Sequence, residues 1–176
     1  MRPPSLATPR LSLIPPAEAD VDALLALFRD PHVRRYLWDD EVIEREAAAG
    51  VVVESIGDFA ERGIGLWRAA PADRDELIGF CGFRRSRVSA DPGDLELLYG
   101  FAPAWCGRGL ATEAARATLR FVFLTTGLPR IVAATDAPNA ASARVLARLG
   151  FTLDRRGDLH GLDTLFYSLS RSAFVL

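Results

Sequence analysis

The chain has 176 residues, 49% hydrophobic and 25% charged, with a net charge of −2; that is the size and balance of one globular domain spanning 1–176, with no disorder and no uniform positive field to hold nucleic acid. Two cysteines and two histidines are too few for a disulfide framework or a metal cluster, so a cytoplasmic protein without a metal is expected. No apolar run of signal-peptide length opens the chain and none approaches the ~18 residues of a membrane span, so it is read as neither exported nor membrane-bound.

Arg10 to Ile14 alternates polar and apolar residues before Pro15-Pro16 and predicts a first strand. Asp20 is placed to cap a helix whose apolar face is Val21, Leu24, Leu25 and Phe28. Asp30-Pro31 predicts a second start, with Val33, Tyr36 and Leu37 inward. From about Asp40 to Arg62 the pattern is helical but interrupted by Gly50, which suggests one bent helix or two short ones. Gly65 to Ala70 and Leu77 to Arg84 read as a hairpin, and Leu95 to Phe101 as the next strand. A long helix follows, roughly Arg108 to Thr126, with Leu110, Ala114, Ala117 and Phe121 on one stripe. Ile131 to Thr135 is short, apolar and β-branched, as a strand covered on both faces requires. Asn139 caps a helix that buries Val145, Leu146 and Leu149 and stops at Gly150; strands near Thr152 to Arg155 and Thr164 to Leu169 complete the order. The fold class is therefore α/β, a mixed sheet flanked by helices, and the strand–helix–strand unit from Leu95 to Thr135 demands a parallel pair inside it.

The chemistry concentrates in LELLYGFAPAWCGRGLATEA, residues 95–114, a strand, a Gly-rich turn and a helix. Gly107 and Gly109 let the backbone approach a ligand while the first-turn N–H groups face it with the positive end of the helix dipole, a pyrophosphate cradle. No Lys-Ser or Lys-Thr follows the last glycine and there is no G-x-G-x-x-G, which disfavours ATP and NAD. APNAASARVLARLGF, residues 137–151, brings a second helix start, with Asn139 and Ser142, to the same strand ends.

Together with TPRLSLIPP, DVDALLALFRDPHVRRYL, LIGFCGF and HGLDTLFYSL, these motifs resemble the GNAT acetyltransferases over nearly the whole chain, in particular the branch that acetylates the N-termini of ribosomal proteins. The resemblance implies a mostly antiparallel sheet with one parallel pair at the coenzyme site, and acetyl-CoA as co-substrate. It implies that Gly107, Arg108, Gly109, Leu110, Ala111 and Thr112 surround the pyrophosphate. Pantetheine would run beside Leu98, Tyr99, Gly100 and Phe101 as an added strand, and Asn139 and Ser142 would contact the coenzyme's arm. Backbone N–H groups near Leu98 and Tyr99 would polarise the thioester.

Two positions depart from the family pattern. Cys106 replaces a common Gln, Arg or Trp, and is read as structural because no histidine lies near it in sequence. Leu146 stands where many relatives have the tyrosine that protonates the leaving thiolate, so that role passes by resemblance to Ser142. Glu96 matches a catalytic glutamate and is the expected base, while His32 and Glu41 fall on the acceptor side. A protein N-terminal α-amine is the expected acceptor. A small-molecule N-acetyltransferase and a non-catalytic acyl-CoA-binding module remain alternatives, as do monomer and homodimer.

Overall fold

The computed structural model describes residues 4–175. Eight strands form one sheet: β1 (Leu6–Ala7), β2 (Leu11–Ile14), β3 (Leu66–Pro71), β4 (Gly79–Arg85), β5 (Leu95–Phe101), β6 (Arg130–Asp136), β7 (Thr152–Leu159) and β8 (Leu162–Ser170). Their order is β1-β2-β3-β4-β5-β6-β8-β7. Every neighbouring pair is antiparallel except β5 and β6. The mixed, mostly antiparallel sheet with one parallel pair is thus the observed architecture.

Five helices cover the sheet: α1 (Val21–Arg29), α2 (Pro31–Leu37), α3 (Arg45–Arg62), α4 (Leu110–Thr125) and α5 (Ala140–Leu149). Alternation along β5 divides the core. Leu95, Leu97 and Phe101 pack with Leu119 and Val122 of α4 and Leu146 of α5, whereas Leu98 meets the cluster of Phe28, Val52 and Phe80 built by α1 to α3. Each sheet face therefore has its own apolar layer, and any opening between strands connects the two.

Several expectations shift. Asp20 does not cap α1 with its side chain; it accepts from the Ala17 N–H at 2.8 Å and faces Arg68 at 3.4 Å. Leu27 rather than Leu25 joins the buried face of α1, and Val33 alone is fully buried in α2. The helical pattern expected from Asp40 begins only at Arg45, because Asp39 and Asp40 turn the chain at φ 52° and 63°, a left-handed conformation that a short polar side chain tolerates. Gly50 does not break α3, since Ala48 and Val52 on either side are fully buried and hold the turn against the core. β1, which was not anticipated, is two residues paired with Leu13 and Ser12 of β2.

Candidate active site

β5 and β6 are joined in register at Glu96 and Val132, and no further ladder pair between them is formed among the described residues. Beyond that point they part, leaving the edge of β5 from Leu98 to Phe101 without a neighbouring strand. A cleft of about 1270 Å³ opens there, lined from both faces of the sheet. This exceeds the several hundred Å³ of an ordinary small-molecule pocket and suits two reactants at once. Its position at the carboxyl ends of parallel strands is where open α/β sheets bind ligands.

On the α4–α5 side the glycine turn forms as expected. Gly107 and Gly109 adopt φ 73° and 78°, and Gly109 starts α4 without any side-chain cap. The N–H groups of Leu110, Ala111 and Thr112 consequently lie in the uncapped first turn, where a helix has no partners of its own for them. Thr112 lines the cleft, but its Oγ1 is buried and has no hydrogen-bond partner among the described residues. The turn is braced from below. Arg10 Nη1 donates to the Arg108 carbonyl at 2.9 Å, its Nε donates to Glu113 Oε2 at 2.7 Å, and Thr8 Oγ1 donates to Glu113 Oε1 at 2.6 Å. Burial alone would push the Glu113 carboxyl up, but these donors hold it below its ordinary value. The Arg108 guanidinium stacks over Trp105 at 5.2 Å. Phe101 is buried in the core yet borders the cleft.

In α5, Asn139 Oδ1 accepts from the Ser142 N–H at 3.2 Å, the cap that the sequence predicts. The Ser142 hydroxyl lies 2.8 Å from the Tyr99 hydroxyl. Leu146, one turn further on, is 1% exposed and belongs to the core.

On the α1–α3 side Glu96 is 5% exposed. Its carboxylate accepts from Arg84 at 3.2 and 3.3 Å and from the Arg87 N–H at 3.2 Å. The expected base is thus part of a cross-strand ion pair, Arg84 standing opposite it in register. Sequence reasoning missed Asp136. It ends β6 where the strands have parted, lines the cleft and makes no side-chain hydrogen bond or ion pair among the described residues. Burial, then the nearby Asp39, raise its proton affinity above that of an ordinary aspartate. Its place at a strand terminus just ahead of a helix-starting turn was the signal available. His32 and Glu41 line the same end, together with His160 of the β7–β8 turn. His32 also approaches Cys106, Nε2 to Sγ 3.7 Å, across 74 residues of sequence. The histidine absent from the local sequence is therefore supplied in space. Even so, burial and Asp30 push the Cys106 thiol up, away from the thiolate that nucleophilic attack needs.

The sequence profile of the acetyltransferase (GNAT) domain matches residues 10–152. The chain belongs to the GNAT acetyltransferase family. The uncharacterized N-acetyltransferase YoaA of Bacillus subtilis is 31% identical over 149 residues, covering 84% of this chain and 82% of YoaA. The FsC-acetyl coenzyme A-N(2)-transacetylase of Aspergillus fumigatus is 30% identical over 164 residues, covering 85% of this chain and 65% of that protein. A solved ribosomal L7/L12 α-N-protein acetyltransferase in complex with coenzyme A superposes with a TM-score of 0.78 at 20% identity, over 95% of this chain and 98% of that one, a likeness of fold.

For a GNAT N-acetyltransferase the co-substrate is acetyl-CoA, and the cradle fits it. The uncapped first-turn N–H groups that follow Gly109 would suit a pyrophosphate. Among the described residues no three His, Cys, Asp or Glu side chains are grouped to hold a metal, and no helix is long and apolar enough to cross a membrane. The buried setting of Leu146 also shows what restoring the family's tyrosine would do. Leu146→Tyr is expected to overpack the α4–α5 layer, lowering the denaturant midpoint by the equivalent of about 1–3 kcal/mol without raising turnover. An unchanged midpoint with faster acetylation would show that a phenol at position 146, which borders the cleft, reaches the departing sulfur.

Proposed function

We propose that this GNAT enzyme acetylates a free peptide or protein N-terminus, by direct transfer from acetyl-CoA. The observation that carries the direct mechanism is the cleft lined from both sheet faces, with an anion cradle on the α4–α5 side and an unpartnered carboxylate on the other. Gly107 to Thr112 hold the pyrophosphate, the free edge of β5 receives pantetheine, and N–H groups near Leu98 and Tyr99 polarise the thioester carbonyl. The neutral amine enters from the α1–α3 side. As its nitrogen bonds to the acetyl carbon, the C–S bond breaks and the electron pair goes to sulfur. Asp136, directly or through a water fixed by the Arg84–Glu96 pair, takes the amine proton; Ser142 supplies one to sulfur.

Two considerations favour an α-amine. Near pH 7 roughly 10–20% of an unperturbed α-amine is neutral, against about 0.04% for lysine, so it asks least of the base. Asp39 and Glu41, both exposed at the mouth of the cleft, attract a chain end that arrives protonated. The relative named for N(2) transacetylation favours a second reading, a small amine as acceptor. Competition between peptides with free and blocked N-termini, each carrying one lysine, separates these readings when the acetylated position is read by mass spectrometry. The free peptide should be modified first, at its α-amine. Equal or faster modification of the blocked peptide would end the N-terminal reading, and acetylation of small amines alone would establish the second.

A further inference from the structure

We infer that Tyr99 acts through Ser142 as the proton source for the departing sulfur, so that the phenol the family usually places on α5 is delivered here from β5. The inference rests on reading the cleft as the acetyl-transfer site. Leu146 leaves the usual position apolar: it is 1% exposed and, where it borders the cleft, has no proton to offer. One turn earlier, the Tyr99 hydroxyl sits 2.8 Å from Ser142 Oγ and 3.2 Å from the Ser142 carbonyl oxygen. The Asn139 cap pins the Ser142 main chain. The serine hydroxyl is therefore bracketed between a phenol and the cleft, both of which its rotation can reach, and Tyr99 and Ser142 both line that cleft.

The chemistry explains why a serine needs this neighbour. An alcohol that gives up its proton alone becomes an alkoxide, a much stronger base than the thiolate it would serve; passing the charge on to a phenol leaves it on the more acidic of the two hydroxyls. In the relay, the C–S bond breaks with its electron pair on sulfur, the Ser142 proton moves to sulfur, and the Tyr99 proton moves to Ser142 Oγ. The phenolate regains a proton from solvent, matching the one that the amine released. The side chains around Tyr99 are uncharged: Cys81 opposite it on β4, Tyr167 of β8 and Ser142 of α5. Burial pushes the Tyr99 phenol up and the Cys81 thiol up to about 12, while Cys81 Sγ stays 3.7 Å from Thr118 Oγ1 of α4. The phenol therefore stays protonated across the working range and, as a weaker acid than a free phenol, gives its proton up only as the sulfur takes the one on Ser142.

Tyr99 is on this account a positioning residue, and its test must exceed simple loss of rate. Tyr99→Phe keeps the ring and removes only the hydroxyl. With a free-N-terminal peptide as acceptor, it should lower kcat about 100-fold while KM for acetyl-CoA stays within about two-fold. Ser142→Ala should lose as much, and the double variant no more than either alone, as residues acting as one unit do. Multiplying losses, or wild-type kcat in Tyr99→Phe, would overturn the relay. A second readout does not depend on the acceptor: 3-fluorotyrosine placed at position 99 alone and followed by 19F NMR. Its resonance should differ between coenzyme A and desulfo-coenzyme A, and Ser142→Ala should abolish the difference. Identical resonances would overturn the relay even where peptide acetylation proceeds. A sulfur-dependent shift without peptide acetylation would support the relay and reassign the acceptor instead.

Discussion

Gly109→Glu will give a folded protein that no longer binds coenzyme A. Gly109 is the left-handed residue from which α4 starts, at φ 78°, and a Cβ there would meet only Arg10 Nη2, at 3.7 Å. Space is therefore available, and the conformational cost of a non-glycine residue, about 1–2 kcal/mol, is small enough to leave the fold intact. Binding is another matter. The added side chain leaves the backbone beside the Arg10 guanidinium, where its carboxylate competes with Glu113 for the brace of the turn and sets a negative charge next to the first-turn N–H groups that repels a pyrophosphate. Gly109→Ala separates charge from backbone: it carries the same strain but no anion, and should weaken binding without abolishing it. Calorimetry with coenzyme A reads both variants, and unchanged affinity in Gly109→Glu would remove this turn from the coenzyme site.

Asp136→Asn should cut turnover by about 100- to 10,000-fold, and Glu96→Gln by much less. Six carboxylates line the cleft. Glu54, Asp58 and Glu96 are each held by an arginine; Asp39 and Glu41 are exposed on the segment between α2 and α3. Asp136 alone combines partial burial with free lone pairs. Because burial and Asp39 raise its proton affinity, the rate should fall with acid through a value above the ordinary carboxylate range, and Asp136→Asn should erase that limb. Stability should move the other way. A carboxyl with a raised native pKa binds more protons folded than unfolded, so its contribution to stability is lost as pH rises. Asp136→Asn should consequently raise Tm at neutral pH while silencing the enzyme. If Glu96→Gln proves the more damaging change, the base is Glu96.

Legibility in the sequence followed the range of the interactions involved. β5 lies at Leu95–Phe101, as its alternation and flanking turns indicate, and Asn139 caps α5 through its own side chain; both are decided within a few residues. The left-handed turn was readable for the same reason, since Gly107 and Gly109 sit together in it. What could not be read depends on chain segments that meet only after folding. Tyr99 and Ser142 are 43 residues apart, and His32 reaches Cys106 across 74. Glu96 was identifiable as a site carboxylate, but its engagement by Arg84 is a matter of cross-strand register. The break at Asp39 and Asp40 was hidden because aspartate also suits a helix start, so composition alone did not separate a left-handed turn from a cap.

The brace beneath the coenzyme turn has a bearing on how the chain assembles. Arg10 holds Arg108 and Glu113 across 98 and 103 residues of sequence, so the turn between β1 and β2 waits, during synthesis, for a helix made in the second half of the chain. Loop closure over such a span is among the slower steps available to a small domain. The cradle is therefore set late, after β2 has joined β3 and α4 has docked. With the coenzyme held at this turn, as proposed, acetyl-CoA would select molecules in which this closure has occurred and stabilise them in proportion to the logarithm of its concentration. In a cell rich in the coenzyme, the substrate itself guards the newly finished enzyme against reopening.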